Sequence, residues 1–398
     1  SSSVEVFLPE IDTQRTVLRN ASYATYVNSG HLIFVRGTVL MVARFDVKRL
    51  QITAPPVPLV QDDVGFDYGG KTPQITISRK GTIIYIPRSE FRESELVWVD
   101  RQGIPESLDA HADVYESPRL SSDCRHIAIT VWSQREFANQ VYVHRLERGT
   151  PAPLTTKGEN RYAHWSPDGT KVAFWSNRPE GAGVFCKVVG TSASAELLAH
   201  EPSLGVFLLP YSWSHNRNLL ACTVLDPITR EDIWIVDPNG DHEAKPLLGT
   251  EHREYNPTFS PDGRLLAYVS EESGQPEIYV WEYPDGGHWE MVSTDGGTGI
   301  NPAWKRDGDG QELYYINDNQ MMTVTVTSEP NFVVGAPEPL FKLPDGIVPG
   351  TYLGRNYDVS DDGRFLMMKW SDNTRERLIV VRNWFEELKR LAPLDRNR

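Results

Sequence analysis

The 398 residues carry 40 Lys+Arg against 54 Asp+Glu, a formal net charge of −14, so a polyanionic partner such as nucleic acid is electrostatically disfavoured. With 39% hydrophobic residues and 11 Trp, 16 Tyr and 14 Phe, the composition excludes a disordered chain and supplies material for a sizeable core. No apolar run reaches the roughly 18 residues of a spanning helix, and Cys124, Cys186 and Cys222 form no Cys-x-x-Cys pair for zinc or redox chemistry, so they read as small buried hydrophobes.

The chain starts at Ser1 and its first lysine is Lys48, so no basic stretch precedes an apolar one; the start is read as trimmed, a signal or anchor having been removed. Ser3-Val4-Glu5-Val6-Phe7-Leu8 reads as one strand and Thr16-Val17-Leu18 as a second. A turn at Asn20-Ala21-Ser22 leads to Tyr26, Gly30 and the β-rich run His31–Val35; Ile77 and Gly81 precede a similar run, Thr82–Ile86. Leu120 with Asp123 opens the next copy. The phrase is complete at Trp165-Ser166-Pro167-Asp168-Gly169, abbreviated at Trp213 with Asn216, and complete again at Phe259-Ser260-Pro261-Asp262-Gly263. Trp304 with Asp307-Gly308 and Val359 with Asp362-Gly363 follow. Asn383 then reads as the cap of a short helix over 383–391, with Trp384, Leu388 and Leu391 on one face and packed on a rim.

Anchors thus fall at 26, 77, 120, 165, 213, 259, 304 and 359, at intervals of roughly 43–55 residues, the period of a four-stranded propeller blade. Each unit repeats one order. A strand ends at the anchor; Pro fixes φ for a turn, Asp accepts from backbone N–H groups two residues on, and Gly takes φ > 0. A second β-rich strand follows, then an alternating third, as in Asp232–Asp237 and Glu277–Glu282, then a short fourth that opens on Pro153, Pro246 or Pro339 and suits an edge. Such units bury their faces only by stacking, with the aromatic anchors filling the wedges. The expectation is an all-β, single β-propeller domain spanning 1–398, with eight four-stranded antiparallel blades (seven as the alternative) and a ring closed by pairing of the N- and C-terminal strands. Trp165, Asp168, Gly169, Trp213, Phe259, Asp262, Gly263, Trp304 and Gly363 are its structural repeat residues.

The repeat resembles the WD40-like (PD40) β-propeller family of bacteria typified by TolB. Gly30–Arg36, Leu96-Val97-Trp98-Val99-Asp100-Arg101-Gln102-Gly103, Ser270–Gly274, Glu277–Val280 and Arg382-Asn383-Trp384 are more closely similar to propellers attached to bacterial Ser/Thr kinases. The resemblance implies a periplasmic or other extracytoplasmic location. It implies little about activity, because repeat residues are scaffold. The Gly-rich loop, His-Arg-Asp and Asp-Phe-Gly strings of a kinase are absent from the sequence.

Enzyme signatures are missing or broken. Gly190-Thr191-Ser192-Ala193-Ser194 lacks the second Gly of a nucleophile elbow, and Pro246 stands where the second His of a zincin helix after His242-Glu243 belongs. Asp307-Gly308-Asp309-Gly310 is a hairpin tip that only loosely resembles a calcium loop. What remains is the mouth where each blade's first strand begins, three and four positions before each anchor. Tyr23, Gln74, Glu116, Arg161, Tyr162, Tyr255, Asn256, Asn301, Arg355 and Asn356 supply donors, acceptors and stacking faces there. They suit a peptide or a small polar ligand, and equally the satisfaction of channel backbone and water. The expected function is a non-catalytic binding propeller, a sensor or protein-interaction module, working as a monomer without cofactor. The alternative is a hydrolase or lyase with a His/carboxylate metal site, for which His111, His200 and His252 are the candidates.

Overall fold

The repeated turn is built by its own side chains. In the computed structural model, Asp168 Oδ1 accepts the Thr170 N–H at 3.0 Å and Ser166 Oγ accepts the Lys171 N–H at 2.9 Å, while Ser166 donates to Asp168. Asp123, Asp262 and Asp362 accept the N–H of Arg125, Arg264 and Arg364 in the same way. Gly169, Gly263 and Gly363 take φ of +68°, +65° and +80°, as expected for the corner, and Cys124 adopts φ 51° at the equivalent place. The structure describes residues 3–8, 13–60, 63–65, 73–78, 81–87, 93–108, 112–133, 138–146, 150–178, 181–201, 203, 205–226, 230–284, 288–294, 299–305, 311–328, 331–351, 354–371, 378–384, 388 and 390. The turn at 307–308 and His111 lie outside them.

Contacts divide the chain into two compact units, Arg92–Ser371 and Ser1–Phe91 with Asp372–Arg398. Among its described residues the larger unit holds six antiparallel sheets of four or five strands, labelled A to F, and a two-stranded pair of Gly350–Thr351 with Gly354–Arg355. Sheet B runs Tyr115–Leu120, His126–Ser133, Ala138–Arg145, Ala152–Pro153; sheet C, Glu159–Trp165, Lys171–Arg178, Gly181–Val188, Glu196–His200. Sheet D runs Phe207–Trp213, Leu220–Asp226, Arg230–Val236, Ala244–Leu248; sheet E, Glu254–Phe259, Leu265–Ser270, Glu277–Glu282, Trp289–Met291. Sheet F runs Gly299–Trp304, Gln311–Asn317, Gln320–Thr327, with Val333–Val334 and Glu338–Lys342 both on the last of these. Sheet A is a composite: Tyr357–Val359 and Phe365–Trp370 pair onward with Ser94–Val99 and Pro105–Ser107, Leu96 opposite Met368 and Trp98 opposite Leu366.

The anchors pack backwards onto the preceding sheet. Trp165 lies with Ala128 and Val141 of sheet B, Trp213 with Val184 and Cys186 of C, Phe259 with Ala221 of D, and Trp304 with Leu265 and Ile278 of E. Two indoles also tie sheets together by hydrogen bonds: Trp165 Nε1 donates to Arg119 O (2.9 Å) and Trp304 Nε1 to Thr258 O (3.0 Å). Burial of each such aromatic stabilises by about 1.5–3 kcal/mol. Sheet F in turn packs on A through Tyr314 and Phe341 against Val359 and Phe365, and A on B through Leu96 and Leu366 against Ile127 and Ile129.

In the smaller unit, Ser22–Val27, His31–Arg36 and Val39–Asp46 form one sheet with the short strands Gln51–Ile52 and Val57–Pro58. Ile75–Ile77, Thr82–Tyr85 and Ile379–Arg382 form a second, and Ser3–Leu8 pairs with Thr13–Arg19. Trp384, Leu388 and Arg390 are helical, and Trp384 and Leu388 are buried with Ile33, Val42 and Tyr85; Leu391 lies outside the described residues. Tyr26 departs from the other anchors: it is 43% exposed, its ring edge-on to Phe45.

The expected fastening of the two chain ends to each other is corrected by these pairings. Ser3–Leu8 pairs with its own neighbour, and the C-terminal strand Ile379–Arg382 pairs with Thr82–Tyr85. Ser94–Val99, third in order after the Ile77 anchor, pairs with the strand after the Val359 anchor. Two repeats have exchanged third strands. Both candidates are β-rich and apolar, so the repeat pattern alone does not choose between them; side-chain packing at Leu96, Val97 and Val99 does.

Candidate functional site

The first strand of each sheet in the larger unit presents its backbone to the neighbouring first strands, and several of these strands carry a bulge. Ser117, Tyr162 and Asn256, each three positions before its anchor, take φ of 52°, 58° and 53°, and the pairing register shifts there. Pro118, Pro257 and Pro302, two positions before their anchors, lack the N–H that an unbroken ladder requires, a signal for the bulge that was present in the sequence.

The bulge places the expected mouth residues where they join one strand to the next. Asn356 Oδ1 accepts the Ser117 N–H (3.1 Å) between sheets A and B, and Arg161 bonds Glu159 (2.6 Å) and approaches Glu116 (3.9 Å) between C and B. The Tyr162 ring lies 6.2 Å from that of Tyr211 in sheet D. Asn256 Nδ2 donates to Asn301 Oδ1 (3.0 Å) and its N–H donates to Thr223 Oγ1 (3.2 Å), while Tyr357 donates to Asn301 O (2.6 Å). Burial opposes the charge on Arg161, but Glu116 and Glu159 outweigh it and hold the guanidinium above its usual pKa. Tyr255 is fully buried in an apolar cluster. Tyr23 and Gln74 belong to the smaller unit, Tyr23 half-buried and Gln74 exposed.

A cavity of about 280 Å³ lies at the anchor end of these strands. Its wall includes Arg119, His164, Ser212, Thr258 and Asp358, each immediately before its anchor, together with Trp165, Trp213, Phe259, Trp304 and Arg355. Of the expected site residues only Arg355 reaches it. Polar residues at the position before the anchor are the signal that would have located it. Arg355 donates to Pro302 O (2.7 Å) and to Asp358 Oδ1 (3.1 Å); Asp358 Oδ2 accepts the Leu120 N–H (2.8 Å). Arg119, 4% exposed, donates to Pro118 O and Arg355 O, both at 2.8 Å. Burial, and then the neighbouring Arg355 charge, push the Arg119 guanidinium down to about 9.

His200 ends the fourth strand of sheet C, opposite Gly183, while His252 lies in the connection leading to sheet E, 3.9 Å from Glu251. No group of three His, Cys, Asp or Glu side chains is placed to hold a metal among the described residues. No helix there is long and apolar enough to cross a membrane.

No protein-family model matches the chain. It is 27% identical over 190 residues to a TolB homolog of Chlorobium luteolum, covering 46% of this chain and 42% of that protein. It is 36% identical over 78 residues to the Tol-Pal system protein TolB of Alcanivorax borkumensis, covering 19% and 18%. The chain thus spans less than half the length of these curated relatives. A solved structure assigned to TolB from Agrobacterium tumefaciens superposes with a TM-score of 0.53 at 17% identity, covering 70% of this chain and 98% of that one. The chain is thus similar in sequence to bacterial TolB proteins over part of its length and shares the β-propeller fold of the solved TolB structure.

Proposed function

We propose that sheets A to F form a six-bladed ring with composite sheet A as the closing blade, and that this ring is a non-catalytic, extracytoplasmic binding module for a protein or peptide. This reading replaces the eight-bladed ring with one of six plus a separate smaller unit. The observation that carries it is the approach of polar and aromatic side chains from successive first strands, Arg161 3.9 Å from Glu116 and Tyr162 6.2 Å from Tyr211. The Tol-Pal system naming of a relative supports protein partners. The phrases shared with kinase-attached propellers support the location.

The test immobilises the purified chain and its Arg161→Glu variant and compares the proteins each retains from an extracytoplasmic extract. A set retained by the wild type and lost from the variant is the expected result. An unchanged set refutes the mouth reading, and a tightly held stoichiometric divalent ion in the purified protein counts against the non-catalytic one.

A further inference from the structure

A buried guanidinium, Arg119, and a partly buried one, Arg355, line the cavity with a single buried carboxylate, Asp358. Asp358, 3% exposed, is the only acid bonded to either in the described hydrogen bonds, and it serves Arg355 and the Leu120 N–H. Arg119 spends its bonds on two backbone carbonyls. The Nε atoms of both Arg119 and Arg355 are buried without a hydrogen-bond partner. Leaving such a charged donor unsatisfied costs more than leaving a neutral one, so an orphaned pair marks a place where an acceptor belongs. The second acid on the wall, Asp361, is exposed and screened by solvent.

We infer that this cavity binds a carboxylate, held by Arg119 and Arg355 between the aromatic walls of Trp165, Trp213 and Trp304. The inference rests on reading the larger unit as a binding propeller and names the chemistry that its axis takes. Two guanidiniums less one buried carboxylate leave an excess of one positive charge, which matches a monoanion better than a phosphate dianion. Guanidinium geometry favours a planar, two-oxygen acceptor, and three indoles on the wall favour a carboxylate carried on an apolar body. A small organic acid and the C-terminus of a peptide both supply that group.

Calorimetric titration of the full chain with phenylacetate and with its neutral counterpart phenylacetamide tests the inference, the tripeptide Gly-Gly-Phe and its C-terminal amide forming a second arm. Saturable one-site binding of the acids, weakened by salt and at least roughly tenfold weaker for the amides, is expected. Arg355→Gln should lose roughly tenfold or more and Arg355→Lys less, while Lys245→Gln, at an exposed site, binds as the wild type. The acid-to-amide ratio needs no variant, so a folding failure of Arg355→Gln leaves the test intact. Gly-Gly-Phe binding more tightly than phenylacetate supports a chain terminus as the source; the reverse supports a small acid. Equal binding of acid and amide, no saturable binding of either, or an unaffected, folded Arg355→Gln overturns the inference. Carboxylate binding that fails while Arg161-dependent protein retention persists overturns this inference alone; the converse overturns the mouth reading alone.

Discussion

Replacing Trp165 by Phe separates the hydrogen-bonding role of an anchor from its bulk. The indole is 8% exposed, and its Nε1 donates to Arg119 O at 2.9 Å across two sheets. Phe keeps most of the apolar contact with Ala128 and Val141 but removes the donor and strands a buried carbonyl. A stranded acceptor costs about 1–3 kcal/mol, and the ring atoms removed leave a small void worth about 1 kcal/mol. The expected loss is therefore roughly 2–4 kcal/mol. For a unit of this size that lowers the calorimetric transition by roughly 4–8 °C. Trp304→Phe, which strands Thr258 O, should behave alike. Tyr26→Phe, at the same repeat position but 43% exposed, should shift the transition by no more than about 0.5 kcal/mol. Scanning calorimetry resolves the transitions of the two units separately if they unfold independently. Trp165→Phe and Tyr26→Phe giving equal shifts would refute the claim that the indole bond ties sheet C to sheet B.

Gly263→Ala should cost about 2 kcal/mol, because the residue has φ +65° and an added Cβ would sit 2.2 Å from Asn216 Oδ1; Gly190→Ala, at φ +75° with nothing within 4 Å, should cost only about 1 kcal/mol, as chemical denaturation will show. The Ser166 hydroxyl and then the Thr170 N–H hold Asp168 below its ordinary value of 3.8, so its contribution is present above that pH and is lost as pH falls through the lower folded value; below pH 4, stability should fall less steeply in Asp168→Asn than in the wild type. Burial pushes the Cys186 thiol up to about 12 and raises Cys222 further, so a thiol reagent should label neither in the native protein and both after unfolding; native labelling of Cys222 would contradict its burial. In a background with the three native cysteines replaced by Ala, Glu95→Cys with Lys369→Cys, paired across the composite sheet, should form a disulfide on mild oxidation, visible as a gel shift; failure of this pair with success of a Pro87-to-Glu95 pair, the register of an unexchanged repeat, would restore the unexchanged repeat.

Much of the site was legible one residue away from where it was sought. Of the residues expected at three and four positions before each anchor, Asn256, Asn301 and Asn356 are 3%, 3% and 5% exposed and are occupied with one another and with backbone. The bulge causes this: a residue with positive φ rotates the strand, so alternation cannot be counted through it. The cavity falls to the residues immediately before the anchors, Arg119, His164, Ser212, Thr258 and Asp358, all of them polar.

Sequence alone determined the turn chemistry, the repeat period and the inward packing of Trp165, Trp213, Phe259 and Trp304, because these depend on φ preferences, short-range hydrogen bonds and burial of the nearest apolar surface. Tertiary structure alone decided which third strand joins which repeat. Ser94–Val99 and Ile379–Arg382 satisfy the same local rules, so their exchange turns on long-range packing, Leu96 against Met368 and Val381 against Ile83, and that choice separates the six sheets of one unit from the smaller unit.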